Sequence, residues 1–327
     1  MTLNARLIRI FPALRGTDFA VETSELGGNA WNTVSVLRHR IVPADGSAPL
    51  ECVEKRLTKV LGIGPFEPLL QAWVSVLDAG RRLIRTAPLG VVETPLACYV
   101  YSEVVTGPHP NLGRIAAHAA SGIAQMERAS ADLVRSLPAF TRRRMDFFGP
   151  WSLWRPRYNV ALALRRPILR RTPALDGVLQ LAMQLQPHVR RLAGSAQRSP
   201  CCFSHLDLLS KNIIETREGL HLIDWGEARI GRVGFDAGSY LHRLFRGNEL
   251  STFEQSRAVF MDSYLAHLPP DLDPRQVRRN ALYFLTLRTL CFFLRPDVLR
   301  ANAATPEVIE RKLAWLLTAV EQDAVAG

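Results

Sequence analysis

Two carboxylates and a carboxamide recur at close spacing in the middle of this 327-residue chain. Asp207 is followed five residues later by Asn212 and twelve residues beyond that by Asp224, within F-S-H-L-D-L-L-S-K-N-I-I (203–214) and L-I-D-W-G-E (222–227). A hard cation such as Mg²⁺ takes oxygen ligands and keeps waters and phosphate oxygens in its remaining positions, so one Asn and one Asp suffice as its protein ligands. The third group, Asp207, is then available to accept a proton from an attacking hydroxyl. The alternative is an ordinary strand-turn-strand with polar residues at its ends.

The flanking sequence supplies elements to position these groups. Ile213-Ile214 and Leu222-Ile223 read as short strands joined by the polar turn Glu215–Gly219, a hairpin that returns Asn212 and Asp224 to one edge. Upstream, residues 18–57 alternate like a three-stranded meander, Asp18–Leu26, Thr33–Val42 and Leu50–Leu57, with turns at Gly27-Gly28-Asn29 and Pro43–Ser47. Period-2 alternation puts Val53, Lys55 and Leu57 on one face of the third strand and Cys52, Glu54 and Arg56 on the other. A lysine on an apolar face must find a counter-charge; a solvated edge-strand lysine is the other reading. A helix opens at Gly64-Pro65-Phe66-Glu67-Pro68 and runs through Leu77, and strands follow at Val91–Thr94 and Cys98–Val105. From Asn111 the period becomes helical, with helices around Ile115–Met126, Leu175–Leu192, Ala237–Phe245, Thr252–Leu268, Pro274–Leu294 and Pro306–Glu321.

The pattern H-x-D-x-x-x-x-N followed by I-D-W-G resembles the catalytic loop and metal-binding Asp of the protein-kinase-like fold. It is most similar to its small-molecule branch, the aminoglycoside phosphotransferase and choline/ethanolamine kinase families. The resemblance implies an α+β, two-lobed fold: residues 1–106 as a small antiparallel-sheet nucleotide-binding lobe, and residues 107–327 as a larger, mainly helical lobe for catalysis and acceptor binding. It further implies ATP and Mg²⁺ as cofactors and transfer of the γ-phosphate to a hydroxyl of a choline/ethanolamine-like amino alcohol, an aminoglycoside or a sugar. Asp207 looks like the base, His205 like the residue ordering its loop, and Asn212 and Asp224 like metal ligands. Lys55 resembles the strand lysine that orients the phosphates, with Glu67 as its candidate helix partner or else a helix-capping charge. Gly27 and Gly28 stand where a kinase covers the phosphates, although a plain hairpin turn reads the same. Ser102–Gly107, with Glu103 and Val105 within it, resembles the hinge whose backbone meets adenine. Asp236, in G-F-D-A-G (234–238), resembles the carboxylate that props the catalytic loop; a helix N-cap is its alternative.

Composition bounds the rest. No apolar run is long enough to span a bilayer, and the N-terminal L-I-R-I-F lacks a signal-peptide core, which together predict a cytoplasmic protein without a transmembrane segment. Five scattered cysteines suit buried thiols better than a disulfide framework. Of 41 basic side chains only four are lysine, and net charge is +11. Residues 135–171 hold ten arginines among Phe140, Phe147, Phe148, Trp151, Trp154 and Tyr158, readable as an acceptor pocket, as a patch for anionic lipid, or as a solvated helical surface. No repeat or nucleic-acid module accompanies them, so no nucleic-acid partner is expected. A folded nucleotide-binding module without turnover is the rival reading from another class.

Overall fold

The computed structural model describes residues 1–30, 33–59, 84–85, 88–150, 152, 162–163, 166–167, 169, 172–302 and 305–325. Glu67 and its helix, and Trp151, Trp154 and Tyr158 of the arginine-rich stretch, lie outside them. The chain divides into two compact units, Met1–His109 with Asn212–Ala228, and Pro110–Lys211 with Arg229–Gly327. The sequence instead leaves 107–327 whole. The segment 212–228 goes with the first unit because its strands pair there.

In the first unit a helix, α1 (Leu3–Ile10), precedes strands β1 (Phe19–Ala30), β2 (Thr33–Pro43) and β3 (Leu50–Thr58). After β4 (Ile84–Arg85) come β5 (Pro88–Glu93) and β6 (Ala97–Ser102), giving a five-stranded antiparallel sheet in the order β1-β2-β3-β6-β5. Thr2 caps α1 by accepting the Ala5 N–H. The helix drives Leu7 into one face of the sheet, against Leu14, Ile41, Cys52, Val92 and Tyr101. Burying each large side chain there contributes about 1.5–3 kcal/mol. The same face holds a polar knot: Glu54, fully buried, receives the Arg6 guanidinium at 2.9–3.2 Å and the Tyr101 hydroxyl. On the opposite face Leu57 packs with Cys98, Val100 and Val91.

One expectation fails here. Gly27 and Gly28 do not form the turn between β1 and β2; they pair with Val36 and Ser35, and the strand continues to Ala30 opposite Thr33. A bulge between Glu25 and Gly27 absorbs an extra residue, which lets a strand run through glycines that would otherwise end it.

In the second unit β7 (Cys201–Ser204) pairs antiparallel with β10 (Arg229–Arg232), and helices build the rest. Among the described residues they are α2 (Ala116–Ser136), α3 (Ala139–Met145), α4 (Asp176–Ala196), α5 (Phe235–Gly247), α6 (Leu250–Ala266), α7 (Pro274–Phe293), α8 (Pro296–Ala301) and α9 (Glu307–Val325). Asp273 accepts the Arg275 N–H with Pro274 at the first helical position, which sets the start of α7. α5 lies against α7 so closely that a Cβ on Gly238 would come within 2.4 Å of the Ala281 carbonyl oxygen. Phe147 meets Phe235, Tyr283 and Phe284 edge to face beside that crossing. Phe147 and Phe148 are therefore core, and neither forms a wall of an open acceptor pocket. Phe140 alone of the described aromatic side chains in that stretch is exposed. Among the described residues no helix is long and apolar enough to cross a membrane, and all five cysteines are free.

Candidate active site

The first unit supplies an oxygen-rich hairpin end. β8 (Ile213–Thr216) and β9 (Gly219–Leu222) pair in register Ile213↔Leu222, and the Ile223 N–H donates to the Asn212 carbonyl at 3.0 Å. That register places Asn212 and Asp224 at the same end of the hairpin, as their spacing predicts. Asn212 is buried, whereas the Asp224 side chain is 42% exposed. Asp224 takes a left-handed backbone, φ 61°, which Asp tolerates better than most residues, and leads into a single helical turn, Trp225–Glu227.

Lys55 meets this end. Its Nζ lies 2.6 Å from Asp224 Oδ1, so the counter-charge its strand face demands is present 169 residues away in sequence. The chain leaving β6 docks on the same hairpin. The Glu215 N–H donates to the Pro108 carbonyl at 3.0 Å, and His109 Nδ1 lies 3.1 Å from the Ile213 carbonyl oxygen. A Cβ on Gly107 would fall 2.2 Å from the Glu215 carbonyl oxygen, so only glycine permits this approach. Glu103 and Val105 lie on that docked segment and line an open depression with Glu215 and Glu218.

The second unit supplies the carboxylate loop. It leaves β7 with Phe203, whose N–H donates to Ser130 Oγ at 2.9 Å. His205 is fully buried and its Nδ1 accepts the Asp207 N–H at 3.3 Å. Between them Leu206 adopts φ 64°, a conformation costly to a branched side chain. Asp236 holds this turn: Oδ2 accepts the His205 N–H at 2.8 Å and Oδ1 the Leu206 N–H at 2.7 Å. Ser239, one helical turn further along α5, accepts the Leu208 N–H at 3.0 Å. Asp236 is thus not an N-cap; that place falls to Gly234, and the Asp236 carboxylate serves the loop.

Sequence reasoning misses three groups here. Arg288 of α7 places its guanidinium against Asp207 Oδ1, with both side chains about 15% exposed. Its signal is a lone charge in the otherwise uncharged, largely apolar stretch 281–294 of that helix and its end. Glu127 of α2, fully buried, accepts the Gly234 N–H, the Asp236 N–H and the Tyr264 hydroxyl. It stands four residues after Ile123 and so on the helix face that packs inward. Burial pushes its carboxyl up to about 8, with the neighbouring Asp236 charge adding to the effect. Asp236 is raised too, chiefly by burial and against the pull of the His205 charge and the two N–H groups it accepts. The third group is Ser239.

The donor chemistry of the hairpin fits a hard divalent cation. Asn212 and Asp224 offer oxygen only, and among the described residues no cluster of three or more His, Cys, Asp or Glu side chains could enclose a metal. Two protein ligands with phosphate oxygens completing the sphere suit Mg²⁺. Cys201, Cys202 and His205 form no metal cluster; Cys202 is buried with its thiol pushed well above the ordinary range by desolvation.

A model of the phosphotransferase enzyme family matches residues 100–278, more than half of the chain. The chain belongs to the phosphotransferase enzyme family. No curated protein matches it. Among solved structures, this phosphotransferase superposes on choline kinase from Cryptosporidium parvum with a TM-score of 0.57 at 13% identity, over 98% of this chain and 94% of that one. It superposes on amicoumacin kinase in complex with AMP-PNP, Ca²⁺ and Ami with a TM-score of 0.59 at 12% identity, over 92% and 88%. A choline/ethanolamine kinase family protein from Mesorhizobium loti gives 0.51 at 13%, over 98% and 93%. At such identities the likeness is one of fold: an antiparallel-sheet N-terminal part and a mostly helical C-terminal part, as in these small-molecule kinases.

Proposed function

We propose that this phosphotransferase moves the γ-phosphate of ATP to a hydroxyl of a small molecule. The observation that carries the reading is the Lys55–Asp224 pair at 2.6 Å on a hairpin end that also presents Asn212. An ammonium and a carboxylate brought together from distant parts of the sequence, beside a second oxygen donor, form a site for a metal-bound polyphosphate. Lys55 orients the phosphates. Asn212 and Asp224 hold the metal, which when bound neutralises phosphate charge. The backbone of Glu103–Val105 meets the adenine. Gly27 and Gly28 cover the phosphates, Gly27 leaving space beside β1: a Cβ there would meet nothing within 4 Å.

Asp207 accepts the acceptor's proton as the new P–O bond forms and the β–γ bridging bond breaks, with ADP carrying off the released electron pair. His205 and Asp236 position Asp207 through the backbone. Most of the rate in such chemistry comes from positioning and charge stabilisation. A reducing, cytoplasmic compartment suits five free cysteines.

ADP release with pooled candidate alcohols tests the reading. Wild type should turn over, Asp224→Ala should fall to background, and Asp207→Asn should lose two or more orders of magnitude in kcat. Equal activity in all three proteins overturns it.

A further inference from the structure

Four arginines, Arg243, Arg246, Arg288 and Arg295, gather around the end of α5 within the second unit. Arg288 touches its carboxylate. Arg246, in the last turn of α5, stacks its guanidinium 4.2 Å above the Phe292 ring, and Arg295 lies 5.6 Å from the same ring. Arg243 sits one helical turn before Arg246. Arg246 is held below its ordinary range first by burial and then by the charges of Arg243, Arg295 and Arg288, with Asp207 pulling the other way. Burial first, and then the charges of Arg288, Arg246, Arg243 and Lys312, hold the His242 imidazole well below its usual range.

The carboxylates do not balance these charges. Arg295 pairs with Asp297 at 2.6 Å and Arg288 with Asp207, while among the described residues neither Arg243 nor Arg246 has a carboxylate partner. Like charges confined over a shared ring repel, and an anion brought among them relieves that repulsion. A cationic acceptor has the opposite fortune, because the Asp207 carboxylate is already taken by Arg288. Guanidinium groups match the planar oxygens of carboxylate and phosphate, often in two-point fashion.

We propose that the acceptor carries a carboxylate or phosphate taken by Arg243, Arg246 and Arg288 while its hydroxyl is presented to Asp207. This rests on the phosphotransferase reading above and narrows its substrate class. It sets the protein apart from kinases whose acceptors bear ammonium groups. Arg288 has a double part, pairing with Asp207 in the free protein and turning to the anion once the acceptor binds.

The test is ADP release by the full chain at saturating ATP and Mg²⁺ with glycerate, glycerol 3-phosphate, glycerol, choline, ethanolamine and kanamycin as acceptors. The two anions should give at least tenfold higher kcat/KM than the neutral or cationic compounds. Arg243→Gln and Arg246→Gln should each raise the anionic acceptor's KM about tenfold and move the KM for ATP less than twofold. Preference for choline, ethanolamine or kanamycin overturns the inference and leaves the phosphotransferase reading standing. A rise in the ATP KM in place of the acceptor KM assigns the arginines to the nucleotide and overturns it as well. If no compound is turned over, it is the phosphotransferase reading that loses support. The anion site is then decided by melting temperature: a rise with glycerol 3-phosphate but not choline, lost in Arg246→Gln, upholds it, and no such rise sinks it.

Discussion

Asp236 Oδ1 takes the backbone N–H of Leu206 at 2.7 Å, and Leu206 holds its φ at 64°. A leucine in that conformation costs roughly 1–2 kcal/mol. The two N–H bonds made by Asp236, each to a charged acceptor and each worth about 1.5–3 kcal/mol, offset it. Asp236→Ala should therefore lose about 3–5 kcal/mol by denaturant titration and most of its kcat. Asp236→Asn, whose amide has one accepting oxygen in place of two, should fall between. Full kcat in the alanine variant would show that the loop needs no such prop.

At the hairpin end, Lys55→Met should raise the KM for ATP at least tenfold while leaving the unfolding midpoint nearly unchanged. The stability effect is small because Asp224 is 42% exposed, and ion pairs open to solvent contribute little. Isothermal titration of ATP with and without Mg²⁺ separates the two ligands: Asp224→Ala should lose the Mg²⁺-dependent part of the affinity, Lys55→Met the larger part without the ion.

Glu127 and Asp236 tie stability to pH. Both carboxyls are raised in the folded chain, Glu127 from 4.5 to about 8, so over that window the folded state holds more protons than the unfolded one. Stability should fall as pH rises from about 4.5 to about 8. Glu127→Gln, neutral throughout, should flatten that slope in thermal melts. A slope identical to wild type would place the titration elsewhere.

His242 acts at the acid side of neutral. Its imidazole is held well below 6.5, mainly by burial and then by Arg288 and Arg246, so acidification protonates the unfolded chain first. Below about pH 6.5 this group should lower stability, and His242→Gln should remove its share of the loss.

In the first unit, Glu54 receives both the Arg6 guanidinium and the Tyr101 hydroxyl while fully buried. Arg6→Leu leaves that carboxylate without its cation and should cost about 3–5 kcal/mol. Arg6→Leu combined with Glu54→Leu should recover most of it, a non-additivity that a double-mutant cycle reads directly.

What the amino acids announce beforehand follows from periodicity. Strand alternation places Lys55 and Glu54 on opposite faces, and hairpin register brings Asn212 and Asp224 to one end, because both depend on neighbours a few residues apart. Gly27 and Gly28 mislead because a bulge lets a strand pass through residues that ordinarily end one. Arg288 and Glu127 escape because their partners come from distant segments: a charge inside an apolar helix face signals that a partner exists without saying which. The arginines of the last turn of α5 hide for another reason. In a chain where arginine is the default cation, Arg243 and Arg246 attract no notice until the fold sets Arg246 over Phe292 and Arg288 against Asp207.

The hairpin β8–β9 has a consequence for how the molecule is made. Its strands belong to the first unit, β9 pairing in parallel with β4, yet emerge from the ribosome more than a hundred residues later. Until residue 228 has been synthesised, the Pro108 carbonyl and the His109 ring await their partners. A fragment cut at residue 109 would carry Lys55 without Asp224 and the stretch from Glu103 to His109 without the strand it rests on. Such a piece should bind nucleotide poorly, and supplying residues 212–228 through a linker should restore it.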